Sequence, residues 1–407
     1  MIKISFIGDI MCEKPLQKCY MKHRGDTFNK VFEKTKSLFS ESDYVVGNLE
    51  TVFAGKERGY TDHIYCFNTP DSFAAALAES GIDMVTTATN HSLDRGTEGL
   101  FRTIKVLKHY GIDFTGTNKS ENSNRYFIKE INGTRIAFLS YTYGTNTHET
   151  NIILSEDERY CLNLIKPQTY RLQKVEGKVS GSLGIIGNVK KKLSSFITAE
   201  NRMRINKLLH RRYNVSRVDV LYQEDKNEIY YDILERDIKS AKENSDIVIV
   251  CSHMGGQFNA EPGEFAKYIA QLCVNYGADY VIANHPHVVQ KHEIIDGSHV
   301  CYCLGNYSIS PSSVYLLHDL KPEYSVCYHL YLDDNGKTVK CTFSILKIVE
   351  TKDGSLTVWP VYDLYKILAD NEKNKLISDV QFIQQRFCGS SVPEICKEYE
   401  IKQQFSK

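Results

Sequence analysis

The chain has 407 residues, 42% apolar and 25% charged, with 50 basic and 50 acidic side chains. That composition describes a globular chain able to bury a large core; it excludes low-complexity or fibrous polymers and offers no global charge excess to nucleic acid. Twelve cysteines without a CxxC pair, and no run near ~18 apolar residues, predict reduced thiols in a cytoplasmic protein with no integral membrane segment.

The N-terminal MIKISFIGDIM enters a strand directly. Short apolar, β-branched-rich runs recur at DYVVGN, GIDMVTTAT, GIDFTG, TRIAFLSYT, SDIVIVCS and ADYVIAN. Between them, DSFAAALAES, GTEGLFRTIKVLKHYG and PGEFAKYIAQLCVNYG carry apolar residues at helical spacing and run into glycine, the usual left-handed stop. Alternating strand and helix predicts an α/β fold with parallel strands. The second half reads differently. IIDGSHVCYCLGN, LYLDDNGKTVKCTF and VETKDGSLTVWPV are hairpins with DG or NG turns. They predict a second, partly antiparallel sheet packed on the first.

Residues 1–150 and 245–361 form the expected core, 151–244 an insertion, and 362–407 a helical, polar tail. Charge is uneven in place: Lys166 to Arg217 holds thirteen Lys/Arg and two acids, Glu176 and Glu200. Within it, SFITAENRMRINKLLHRRY alternates apolar and basic residues as a solvated helix face does. Its one-sidedness equally suits a lid that faces an anion. Arg95, Lys190, Lys191, Lys192, Arg211 and Arg212 are the candidate substrate-binding cations.

In α/β sheets ligands bind beyond the carboxyl ends of strands. Asp9 follows KISFIG, Asn48 and Glu50 follow DYVVG, and Asn90, His91 and Asp94 follow MVTTAT. His253 follows DIVIVCS, and Asn284, His285 and His287 follow ADYVIA. Each has an ordinary alternative: Asp9 as a helix cap, Asn48 and Glu50 as turn residues, His253 as a core histidine. Asp94 reads best as the cap of the helix from Thr97. Five such strand ends together exceed chance, and His285-Pro286-His287 is the least ordinary of them. A mixed Asp, Glu, Asn and His set suits Zn²⁺, Mn²⁺ or Fe rather than Ca²⁺. It has too many members for one tetrahedral ion and suits two, ~3.5–4 Å apart.

The succession of GD-x-M, GNLE, FNTPDSFAAALAESGIDMVTTATNHSLDRGTEGL, SHMGG, GADYVIANHPHVVQ and YCLGNYS resembles the CapA family of poly-γ-glutamate capsule biosynthesis proteins. That family is similar to the calcineurin-like metallophosphoesterases, and the resemblance implies a four-layer α/β/β/α sandwich with two divalent metal ions (Mn, Fe or Zn). By the same resemblance Asp9 and His287 hold the first ion, and Asn90, His253 and His285 the second. Asn48 stands at the position of the bridging aspartate; an amide bridges cations poorly, so Glu50 would supply the bridge. His91 would be the general acid or would orient the leaving oxygen. The chain departs from the phosphoesterases at Met11, where they carry a histidine, and from common family usage at Met254-Gly255 and Ala283-Asn284.

The expected activity is that of a metal-dependent hydrolase acting on a phosphate ester or an acidic polymer, with an anionic small-molecule or polymer substrate and other capsule-synthesis proteins as partners. The alternative is a non-catalytic accessory component of poly-γ-glutamate or polysaccharide synthesis. Nucleic-acid processing ranks last, because aromatic residues are sparse in the basic stretch.

Overall fold

A computed structural model describes residues 1–22, 27–168, 198–208 and 219–401. Fifteen strands are formed among them: β1 (Ile2–Ile10), β2 (Tyr44–Leu49), β3 (Met84–Thr86), β4 (Asp113–Thr115), β5 (Tyr126–Ile131), β6 (Thr134–Thr142), β7 (Ile247–His253), β8 (Tyr280–Ile282), β9 (His292–Ile295), β10 (Ser298–Cys301), β11 (Asn306–Ser308), β12 (Tyr324–Leu332), β13 (Thr338–Glu350), β14 (Leu356–Pro360) and β15 (Tyr399–Glu400). They build two sheets. The first runs β14-β13-β12-β1-β2-β3-β4, with β11 on β1 and β15 on β13; the second runs β5-β6-β7-β8-β10-β9.

The sheets face one another. Along β1, Ile2, Ile4 and Phe6 pack against Ile136, Phe138, Ile249 and Ile282 of the second sheet in one core, and Phe138 meets both Phe6 and Tyr44 (ring centroids 6.5 and 5.7 Å). The period-2 alternation of strands sends neighbours such as Ile7 and Val45 to the opposite face, where the helix Asp71–Glu79 buries Phe73 and Leu77 among them. On the far face of the second sheet, the helices Glu228–Asn244 and Glu264–Tyr276 bury Leu234, Ile238, Ile269 and Cys273. Helices thus pack on each of the two facing sheets, in a mixed α/β fold.

Two expectations change. The hairpins do not make a sheet of their own: β12 pairs antiparallel with β1, so β12–β14 extend the sheet of β1–β4, while parallel β6, β7 and β8 belong to the other. Turn chemistry sets hairpin partners, but the choice of sheet depends on contacts more than 300 residues apart. The segment set apart as an insertion also ends inside the sandwich, since Glu228–Asn244 is one of its outer-layer helices. In the C-terminal tail, the helix Asp370–Cys388 buries Leu376, Val380, Ile383 and Phe387 at the inter-sheet core. All twelve cysteines are free thiols. Among the described residues no helix is long and apolar enough to cross a membrane.

Candidate metal centre

Carboxyl ends of strands from both sheets converge on one cleft. In the first sheet, register pairs Asp9 of β1 with Asn48 of β2 on one side and Asn306 of β11 on the other. Gly8 permits that approach: a Cβ there would lie 1.8 Å from the Gly305 carbonyl oxygen, which accepts the Asp9 N–H at 2.9 Å. In the second sheet, β7 ends at His253, which bridges to Asn284 beyond β8. The chain then passes through His285-Pro286-His287 with φ of +110° and +59° at the histidines. L-residues avoid this region at a cost on the order of 1–3 kcal/mol each. Packing holds them there. Gly255 leaves room for the Pro286 ring, since a Cβ would stand 3.1 Å from Pro286 Cγ, and the Pro286 carbonyl accepts from Phe258 N at 2.8 Å. The bend turns both imidazoles onto Glu50.

Glu50 is fully buried, and neither of its oxygens receives a hydrogen bond from the described residues. Its Oε1 lies 3.4 Å from His253 Nε2, 3.7 Å from His287 Nε2 and 4.0 Å from His285 Nδ1. Asp9 Oδ2 is equally without a hydrogen bond, 3.2 Å from His287 Nδ1. Among the described residues, ligand-type atoms fall within 4.8 Å of one another in two groups, Glu50/His253/His285 and Asp9/Glu50/His287. Glu50 belongs to both. Asn90 Oδ1, 2.7 Å from His253 Nε2, adds an oxygen to the first. Buried carboxylate oxygens left without partners are costly unless a cation neutralises them, and carboxylate with imidazole is a donor set for divalent transition metals. The residues fit such ions.

The electrostatics differ between the two groups. Burial raises the Asp9 carboxyl, and the Glu50 charge pushes it the same way. Burial opposes ionisation of Glu50 too, but the His287 and His253 charges prevail and hold it well below the usual carboxylate range. Burial lowers His285 to about 3, leaving the neutral imidazole that a cation requires. His287 is lifted to about 9: burial lowers it, and the charges of Glu50 and Asp9 outweigh that.

Asn48 turns its amide nitrogen, not its oxygen, toward the two groups, with Nδ2 also 3.2 Å from His253 Nδ1. Its Nδ2 donates to Asp9 Oδ1 at 2.7 Å and its Oδ1 accepts from Thr86 Oγ1 at 2.7 Å, so it orients Asp9. Asp94 is not a helix cap; the helix Gly96–His109 is capped at Arg95 without a side-chain bond. Instead Asp94 Oδ2 binds His91 Nδ1 and accepts from Phe67 N, both at 2.6 Å. His91 with Nδ1–H given to Asp94 turns Nε2 toward Glu50 Oε1, 3.6 Å away. The spacing His-x-x-Asp carried that signal. Nothing in the sequence marked Asn146, whose Nδ2 donates to Asp94 Oδ1 at 3.0 Å and whose Oδ1 accepts from Asn90 Nδ2 at 3.0 Å. Arg95 is no substrate clamp in this arrangement: its guanidinium donates to the carbonyl oxygens of Asp94, Arg58 and Gly59. Lys190, Lys191, Lys192, Arg211 and Arg212 lie outside the described residues.

Behind the cleft, buried Glu13 accepts from Ser310 N and Ser313 Oγ, both at 3.0 Å. Burial pushes its carboxyl up to about 7, so the folded chain holds a proton there that the unfolded chain releases near pH 4.5. Its contribution to stability is full below that pH and is lost as pH rises to about 7. Urea unfolding of Glu13→Gln should therefore lose a stability decrease of up to about 3 kcal/mol between pH 4.5 and 7.5 that the native chain shows.

The family described as bacterial capsule synthesis protein PGA_cap matches residues 3–311. The chain belongs to that family. Among relatives, the PGA biosynthesis protein CapA of Bacillus subtilis (strain 168) is 23% identical over 309 residues, 75% of this chain and 63% of that one. The capsule biosynthesis protein CapA of Bacillus anthracis is 22% identical over 346 residues, 83% of this chain and 66% of that one. The chain thus spans just under two thirds of the length of these relatives. Among solved structures, a putative 5'-nucleotidase from Staphylococcus aureus aligns with 93% of this chain and 59% of its own at 13% identity and a TM-score of 0.41.

Proposed function

We propose that this PGA_cap protein is a metal-dependent hydrolase in capsule or exopolymer synthesis, acting on a phosphate ester or, as the second choice of bond, on an acidic polymer such as poly-γ-glutamate. The observation that carries the reading is Glu50, buried, without a hydrogen bond, and common to two ligand groups. Asp9, Glu50 and His287 would hold one divalent ion, and Glu50, Asn90, His253 and His285 a second. Bound there, the ions would supply an activated water and polarise the scissile bond. Asn48 keeps the Asp9 carboxylate aimed at its ion. His91 gives its Nε2 proton to the leaving oxygen, and Asp94 fixes the tautomer and offsets the charge of the imidazolium. The accessory-component alternative gains from Asn48, an amide that offers the cleft a donor instead of a ligand.

The test is metal content and hydrolysis of phosphate monoesters by protein purified without chelator. Removing divalent ions with a chelator should abolish turnover, and Mn²⁺ or Zn²⁺ should restore it from a baseline at least about 100-fold lower. A chain that takes up neither ion would sink the reading and leave the accessory role.

A further inference from the structure

A pocket adjoins the centre, with His91 and His287 at its inner end and Met11, Phe67, Met203, Phe258 and Tyr315 as its walls. Its character is aromatic. The Phe67 ring stacks on His91 at 4.3 Å and 29°, so the wall is continuous with the proton donor. Phe258 stands at φ +56°, a conformation that a bulky residue rarely adopts and that glycine enters without strain. The ring held there lies 5.8 Å from His287 and 6.5 Å from Tyr315. Tyr315 is fixed from behind, its hydroxyl 3.4 Å from Glu13 Oε1. Met203, from the helix Ala199–Leu208 in the basic stretch, closes the wall and is 8% exposed. That stretch therefore brings a thioether to the site, a soft group that adapts to flat ligands. Among the described residues no lysine or arginine lines the pocket.

Resting on the hydrolase reading, we propose that this pocket is the leaving-group subsite and takes an uncharged, ring-bearing group, with Phe258 and Met203 as specificity-determining residues. The reason is position. The group that receives the His91 proton must sit on the His91 side of the centre, and that side is built of rings. The anionic part of the substrate then faces the metal side.

The experiment compares benzyl phosphate with glycerol 1-phosphate on the Mn²⁺-loaded full chain, two alcohol esters of similar leaving-group acidity that differ in the ring. Benzyl phosphate should be preferred in kcat/KM by about tenfold or more, mainly through KM, the scale of burying one ring. The preference should shrink toward unity in Phe258→Ala and in Met203→Ala, the latter on a peripheral helix whose truncation spares the core. Equal kcat/KM for the two esters, or a preference untouched by both variants, overturns the subsite. If neither ester is hydrolysed, the hydrolase reading is what fails. Calorimetry with benzylphosphonate and methylphosphonate then decides the subsite separately: tighter benzyl binding that weakens in Met203→Ala supports it, and equal or absent binding overturns it.

Discussion

Glu50→Gln should leave the purified protein with little of either divalent ion and lower phosphate-ester hydrolysis by on the order of 10³-fold. The amide keeps the shape of the side chain but offers one weak oxygen ligand and a donor in place of a charge. Since Glu50 is common to both ligand groups, both ions should go together. Asp9→Asn touches one group and should cost mainly one ion. Elemental analysis of the two variants beside the native chain separates a shared ligand from two independent sites. The metal-free protein carries a second signature. His287 is held up at about 9 against burial by Glu50 first and Asp9 second; in Glu50→Gln its titration, followed by NMR, should move to lower pH. An unchanged His287 titration together with unchanged metal content would exclude Glu50 from the centre.

His91→Gln should act differently, leaving metal content intact and lowering kcat by about 10²–10⁴-fold, the range for loss of a positioned general acid. His91 is in neither ligand group, and its Nδ1 is committed to Asp94 at 2.6 Å. The loss should be largest for alkyl esters, whose leaving oxygen needs the proton. For p-nitrophenyl phosphate, whose phenolate leaves unaided, it should be much smaller. Asp94→Asn should give the same leaving-group pattern at lower amplitude, because the amide no longer enforces the Nδ1–H tautomer. Steady-state kinetics with both esters on each variant checks this. An equal loss on the two esters would remove His91 from proton transfer.

Short-range pattern was enough for much of the molecule. Each strand run quoted above is a strand or contains one, and the helices at Asp71–Glu79, Gly96–His109 and Glu264–Tyr276 lie where apolar spacing put them. Asp9, Glu50, Asn90, His253, His285 and His287 could be singled out because each stands where an apolar run stops, and a strand end is a local event. The relations among them were not local. That Asn48 turns to Asp9 and Thr86, that Asp94 serves His91 and not a helix end, and that Asn146 joins them all follow from loops packed against one another. Nor could period-2 alternation say which sheet β12 joins, because either face of either sheet satisfies the same alternation. Sequence by itself determined the elements, the family and the chemistry of the candidate ligands, which are properties of neighbouring residues. Only the tertiary structure decided which carboxylate is common to both candidate groups and what walls the pocket beside it, because those depend on contacts between segments about 300 residues apart, as Met11 and Tyr315 are.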